Sequence, residues 1–214
     1  MMTFKKIVTS AFVVLLGTSL YAGNRNKSME FYFTPQYIDG KNLDFGGEVK
    51  ADIDSSVSFG FGLGYNFTPN WNLGVLFSYA EADYEATYYD KNGDLDTNRH
   101  TLYTSSINLV GTYNFMDGDF TPFVSGHIGY THTNTGISNG EYYWGCDPFY
   151  WGPCFPYEGA YTDNSMNYGG FVGVRYDFDN HFFIKGAVGV NVIDYNSQNS
   201  ADFIVYQITF GSTF

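Results

Sequence analysis

The chain has 214 residues and a formal net charge of −12, an acidity that excludes the basic face a nucleic-acid partner needs. Aromatic residues make up 21% of it, with 20 Tyr, 21 Phe and 25 Gly, an excess that sets it apart from ordinary soluble domains. Strand-like alternation runs through most of the chain, and no helical stripe of useful length interrupts it.

The N-terminus reads as a secretory signal over residues 1–22. Lys5 and Lys6 form a basic start, Ile7 to Leu20 an apolar run, and Leu20-Tyr21-Ala22 a small-residue cleavage site. A membrane anchor would need roughly 20 apolar residues, and this run includes Thr9, Ser10, Gly17, Thr18 and Ser19. Roughly 190 residues then remain from Gly23 to Phe214, one domain's worth.

Eight strands follow by parity. The first is expected over Glu30 to Ile38, with Phe31, Phe33 and Tyr37 outward, although Pro35 cannot donate to a ladder. In the second, Val57, Phe59, Phe61, Leu63, Tyr65 and Phe67 alternate with Ser58, Gly60, Gly62, Gly64 and Asn66. After the turn Thr68-Pro69-Asn70, the third places Trp71, Leu73, Val75, Phe77 and Tyr79 on its apolar face. The fourth turns Tyr103, Ile107, Leu109, Tyr113 and Phe115 outward and Thr104, Ser106, Asn108, Thr112 and Asn114 inward. Asp117-Gly118 marks a turn into the fifth, Phe120 to Tyr130. The sixth runs from Met166 to Phe178, and Asp179-Asn180-His181 leads into the seventh, which faces Phe182, Ile184, Val188, Val190 and Val192 outward. The eighth ends the chain, with Ile204, Tyr206, Ile208, Phe210 and Phe214 on one face and Gln207, Thr209, Gly211 and Thr213 on the other.

Apolar-out, polar-in alternation suits a barrel strand in a lipid bilayer. The expected connections alternate between short turns and longer loops, the longest spanning 131–165. Aromatics gather at both strand ends, as interfacial girdles do. The predicted fold is all-β: an eight-stranded antiparallel up-and-down transmembrane barrel.

With Gly170-Phe-Val-Gly-Val-Arg-Tyr-Asp-Phe178 and Pro122-Phe-Val-Ser-Gly-His-Ile-Gly-Tyr130, the whole mature chain resembles the eight-stranded bacterial outer-membrane barrels, the OmpA, OmpX, OmpW and opacity-protein group. Tyr206, Ile208, Phe210 and the terminal Phe214 resemble that group's C-terminal assembly signal, with Ser212 where an aromatic usually stands. The resemblance implies the outer membrane, periplasmic termini, a monomer, contact with lipid and lipopolysaccharide, and insertion by the barrel-assembly machinery. It does not choose among adhesins, anchors, channels and the few enzymes of the group.

Four inward charges, Glu30, Arg175, Asp177 and Lys185, fall near the short-turn ends of their strands and are expected to pair, since a buried charge needs a partner. With inward Phe123, Phe171, Phe183 and Phe203 they read as a plug in a narrow lumen; a polar gate is the functional alternative. Inward His127 has Ser125 and Ser106 as neighbours by parity, but no lipid-hydrolase His-Ser motif accompanies it, and no enzyme is expected. Asp90-Lys-Asn-Gly-Asp-Leu-Asp96 spaces oxygen ligands like part of a calcium loop, without the glycine placement or final Glu of an EF-hand. It reads as an Asn-Gly hairpin tip, and no metal or other cofactor is expected.

The segment 141–158 is the most unusual. It holds Tyr142, Tyr143, Trp144, Phe149, Tyr150, Trp151, Phe155 and Tyr157, with Cys146 and Cys154 placed to form a disulfide in an exported chain, two free thiols being the alternative. Such a loop either folds onto the barrel rim or offers a sticky surface to a host or envelope ligand. The expected function is surface interaction, adhesion or envelope structure through the extracellular loops. The alternative is a narrow channel for small or hydrophobic solutes, as in the OmpW-like branch.

Overall fold

The computed structural model describes residues 25–44, 50–89, 93–145, 155–178, 181–195 and 199–214. Ten strands are assigned: β1 (Ser28–Ile38), β2 (Lys41–Asp44), β3 (Lys50–Ile53), β4 (Ser56–Asn66), β5 (Trp71–Tyr89), β6 (Leu95–Asn114), β7 (Phe120–Gly145), β8 (Phe155–Asp177), β9 (Phe182–Tyr195) and β10 (Asn199–Thr213). They form one antiparallel sheet in which β5 also pairs with β6, so β1, β4, β5, β6, β7, β8, β9 and β10 close a ring.

The two strands beyond eight are continuations. Lys41 pairs with Ile53 in the register that already pairs Ile38 with Ser56, so β2 prolongs β1 and β3 prolongs β4. The breaks fall at Asp39-Gly40 and Asp54-Ser55, where a side chain on Gly40 would meet the Ile53 carbonyl at 2.6 Å. The expected first loop is therefore largely wall.

Stepping from residue to cross-strand partner, the path runs Ser28, Asn66, Asn72, Thr112, Ser125, Phe171, Gly189, Val205 and back onto β1 at Ile38, ten residues beyond its start. Over eight strands that stagger tilts the strands by about 40° from the barrel axis. Hydrogen bonds between Met29 and Phe214, in both directions at 2.8 and 2.9 Å, close the seam. Pro35 pairs with Phe59 on β4, while the β1–β10 ladder skips Thr34 and Pro35 for want of a proline N–H. Thr34 Oγ1 and Thr209 Oγ1, 3.0 Å apart, bridge that gap.

The burial pattern is inside-out for a soluble protein. Along β4, buried and exposed residues alternate at every step, with Val57, Phe59, Phe61 and Leu63 half exposed on the outer face. The same face carries Trp71, Phe77, Ile107, Ile128, Val172 and Ile208 on other strands. Only lipid makes such a surface favourable.

Three hairpins outrun the lipid belt. The expected fifth strand stops at Tyr130 and the sixth starts at Met166, but β7 continues to Gly145 and β8 begins at Phe155. The expected loop 131–165 is thus mostly a ladder, with register shifts between Asn134, Ser138 and Tyr142. β5 likewise runs ten residues past Tyr79, roughly 25 Å along the axis. The apolar-outward signal ends at the lipid boundary, whereas strand pairing does not.

Candidate functional site

The inward face holds two regions, a charged floor at the short-turn end and a cavity above it. On the floor, Arg175 donates from Nη1 to Glu30 Oε1 at 2.6 Å and from Nε and Nη2 to Asp177 at 2.6–2.9 Å. Lys185 Nζ stands 3.3 Å from Glu30 Oε2. Asn66 Nδ2 donates 2.9 Å to Glu30 Oε1, and Asn72 Nδ2 donates 3.0 Å to Asn66 Oδ1. The structure thus brings Glu30, Arg175, Asp177 and Lys185 into one buried network.

Aromatic rings finish it. The Arg175 guanidinium carbon lies 4.2 Å from the Phe183 ring centroid, and Lys185 Nζ 4.7 Å from it. Two glycines make room: a Cβ on Gly211 would sit 2.3 Å from the Phe183 ring, and one on Gly62 would sit 2.1 Å from Tyr32. The parity of β4 and β10 thereby sets where a large inward ring fits.

Arg25 is a floor residue that parity reasoning missed, because it precedes β1 and has no strand face. It is 1% exposed and donates from Nη2 to the Met116 and Gly118 carbonyls at 2.7 and 3.1 Å. Its Nη1 stands 3.3 Å from Asp177 Oδ2, a charge contact without hydrogen-bond geometry. The only sequence signal was an arginine just ahead of an inward acid.

Above the floor lies a cavity of about 120 Å3, reaching from Tyr32, Lys185, Thr112 and Phe123 to the exposed Asp39 and Asp54 at the long-loop end. Its middle is polar. His127 is in it, bonded at 3.0 Å to Asn191 rather than to Ser125 or Ser106, with its ring tilted 31° against that of Phe171; Ser106 instead meets Thr131 at 2.8 Å. Toward the long-loop end the lining turns apolar, with Ile53, Ile193, Phe203 and Val205, which cluster with the buried Tyr84.

On the projecting wall, Arg99 bridges Asp54 and Asp83 at 2.8 and 3.3 Å. Lys41 donates 2.8 Å to Asp202, a hydrogen bond that holds that exposed carboxyl below the usual carboxylate range. In the Asp90–Asp96 stretch, Asp90 lies outside the described residues; Gly93 takes a positive φ of 86°, and Asp96 accepts from the Thr97 N–H and Asn98 Nδ2. Among the described residues no three metal-capable side chains converge. Cys146, Phe149, Tyr150, Trp151 and Cys154 lie outside the described residues. The backbones of Tyr142, Tyr143, Trp144, Phe155 and Tyr157 are in the paired ends of β7 and β8, their side chains outside the description. Tyr206, Ile208, Phe210 and Phe214 line the outer face of the closing strand.

A closed ring of eight strands, greasy outside and polar within, leaves few families to consider. A family model described as the outer membrane protein beta-barrel domain matches residues 10–214. The chain belongs to that family. It is a bacterial outer-membrane protein in contact with lipid. Among solved structures it is similar to the outer membrane protein OprG of Pseudomonas aeruginosa, at 16% identity and a TM-score of 0.54, covering 90% of this chain and 98% of that one. It is also similar to Neisserial surface protein A, at 14% identity, 86% and 95% coverage and a TM-score of 0.48. Ail of Yersinia pestis, solved with the heparin analogue sucrose octasulfate, follows at 11% identity, 88% and 99% coverage and 0.47. At such identity the OprG likeness speaks for the fold alone. No curated protein sequence matches the chain.

Proposed function

We propose that this protein acts at the bacterial surface through the wall and loops that project beyond the lipid belt, in adhesion or envelope interaction, rather than by conducting solutes. The observation that carries this reading is the asymmetry of the barrel. Three hairpins extend far past the upper aromatic belt, while the other end is closed by Arg25, Glu30, Arg175, Asp177, Lys185 and Phe183. With an even number of strands, the start of β1 and the end of β10 share the floor side, which we assign to the periplasm.

In this reading the segment 141–158 supplies the contact surface at the tip of the tallest hairpin, its aromatics ordered by a Cys146–Cys154 disulfide. The acidic projecting wall shares divalent cations with lipopolysaccharide phosphates. The outer face of β10, ending at Phe214, is what the barrel-assembly machinery engages. The protein works as a monomer and carries out no catalysis.

The experiment compares bacteria displaying the wild type with bacteria displaying a 141–158 deletion, scoring binding to host cells, matrix and isolated envelope. Loss of binding with an intact barrel supports the proposal. Equal binding together with altered solute uptake would replace it with the channel reading, which the cavity above the floor favours.

A further inference from the structure

The tallest hairpin leaves the ring on both sides. β6 last pairs with β7 at Tyr103 and Asn134, and β9 last pairs with β8 at Asp194 and Met166, while β7 and β8 go on pairing each other to Gly145 and Phe155. Above those points the two strands form a ribbon whose outer edges no other described strand pairs. A two-stranded ribbon is marginal in water, and a third strand completes it.

The two edges differ. β7 spends four residues against two of β8 from Asn134 to Ser138, and again from Ser138 to Tyr142. At the first bulge Gly136 takes a φ of 67°, its N–H donates to Asn134 Oδ1 at 2.9 Å, and the Ile137 N–H donates to Thr135 Oγ1 at 3.3 Å. Bulges and side-chain caps blunt that edge. β8 carries no extra residue there. Its Phe178 N–H donates to the Phe182 carbonyl on β9 and its Asp177 N–H to that of Asp119 beside β7, so its even-numbered residues turn their backbone groups away from β7. Above the tip of β9 those groups are the N–H and C=O of Thr162, Ala160 and Glu158, a continuous edge of about 16 Å without Pro or Lys. The base of the ribbon is tied down: Tyr84 Oη donates 2.9 Å to the Thr135 carbonyl, and Thr135 Oγ1 donates 3.0 Å to that of Tyr161.

Charge selects the third strand. Residues 131–165 carry Glu141, Asp147, Glu158 and Asp163 and no Lys or Arg, and Asp194 stands exposed at the tip of β9 beneath the edge. Tyr161, 59% exposed, adds a ring on which a cation can rest. A second copy would bring the same acids against these, so an edge-to-edge dimer is repelled.

We propose that the outer edge of β8 from Glu158 to Thr162 is a strand-addition site for an extended, Lys- or Arg-rich segment of a partner polypeptide, lying in the place above β9. The proposal rests on the reading that the projecting wall meets a partner, and it names that partner's conformation and charge.

The test titrates the full mature barrel, refolded in micelles at low salt, with a capped peptide of alternating Lys and Thr, roughly nine residues long. One contrast is the same peptide with every central backbone amide N-methylated, which keeps the charge and loses the edge hydrogen bonds. The other is the matching Glu and Thr peptide. The Lys peptide is expected to bind at about 100 μM, the methylated one at least about tenfold more weakly, and the Glu peptide not at all. Thr162→Pro and Ala160→Pro remove N–H groups that make no bond to β7, and each is expected to weaken binding about tenfold while keeping the compact band on unheated gels. Either one that folds suffices, and the methylated peptide decides without them. No binding at about 1 mM, equal binding of the methylated peptide, or wild-type affinity in the folded proline variants overturns the proposal. So does a concentration-dependent dimer that the prolines abolish, which would give the edge to a second copy. Displayed cells separate this site from the broader reading. Thr162→Pro cells that adhere like the wild type while the 141–158 deletion does not would overturn the strand-addition site and keep surface contact. Peptide docking with adhesion unchanged in both would keep the site and overturn the surface reading.

Discussion

Arg175 on β8 and Glu30 on β1 meet inside the lumen at 2.6 Å although β9 and β10 stand between them in the ring. The bond is a strut across the barrel rather than a rung of the ladder. Both side chains are fully buried, so each depends on the other for its charge.

Glu30→Gln therefore leaves Arg175 and Lys185 short of an acid and is expected to destabilise the barrel by about 3–5 kcal/mol. Lys41→Met, at a half-exposed pair on the projecting wall, is expected to cost less than about 1 kcal/mol. Urea midpoints in micelles at matched slopes measure both. Equal midpoints would show that the floor network adds nothing.

Glycines on the two faces should respond oppositely. Gly62→Ala forces the Tyr32 ring aside and is expected to cost about 1–3 kcal/mol. A side chain on Gly111 meets nothing within 4 Å, and Gly111→Ala is expected to stay within about 0.5 kcal/mol of the wild type. The same urea titration ranks them.

A closed ring with no free edge over the lipid belt stays compact in detergent. The unheated protein is expected to run faster on a gel than the boiled one, with circular dichroism dominated by strand. Identical migration with substantial helix would contradict the closed barrel.

In planar bilayers the wild type is expected to show no steady conductance, since the floor is filled by side chains. Arg25→Ala, which empties the space beneath Asp177 and frees the 115–119 turn, is expected to admit brief leaks. Stable wild-type steps would favour the channel reading.

Cys146→Ser with Cys154→Ser should leave folding and gel migration unchanged, because closing so short a ring contributes about 2–3 kcal/mol at best. Surface binding should fall, as it should in Trp144→Ala and Trp151→Ala. Displayed cells scored for adhesion distinguish a contact loop from an inert one.

Alternation with period two, together with the lipid-facing Val, Phe and Tyr series of β4 and β10, determined the number of membrane strands, their inward and outward faces and the parity of the floor charges. Those are local properties, since successive side chains on a strand must point opposite ways. Where each strand ended was less legible. Beyond Tyr79 and Tyr130 both faces meet water, so Glu81, Asp83 and His132 can stand outward on a ladder that continues.

Only the tertiary structure decided which inward groups meet. Glu30 and Arg175 are brought together by the registers of the three strand pairs that join β1 to β8 through β10 and β9, quantities no single strand encodes. The register of β1 on β4 sets the Tyr32 ring over Gly62. Arg25 joins the floor because the chain ahead of β1 folds beneath it, a position that neither period nor parity could assign.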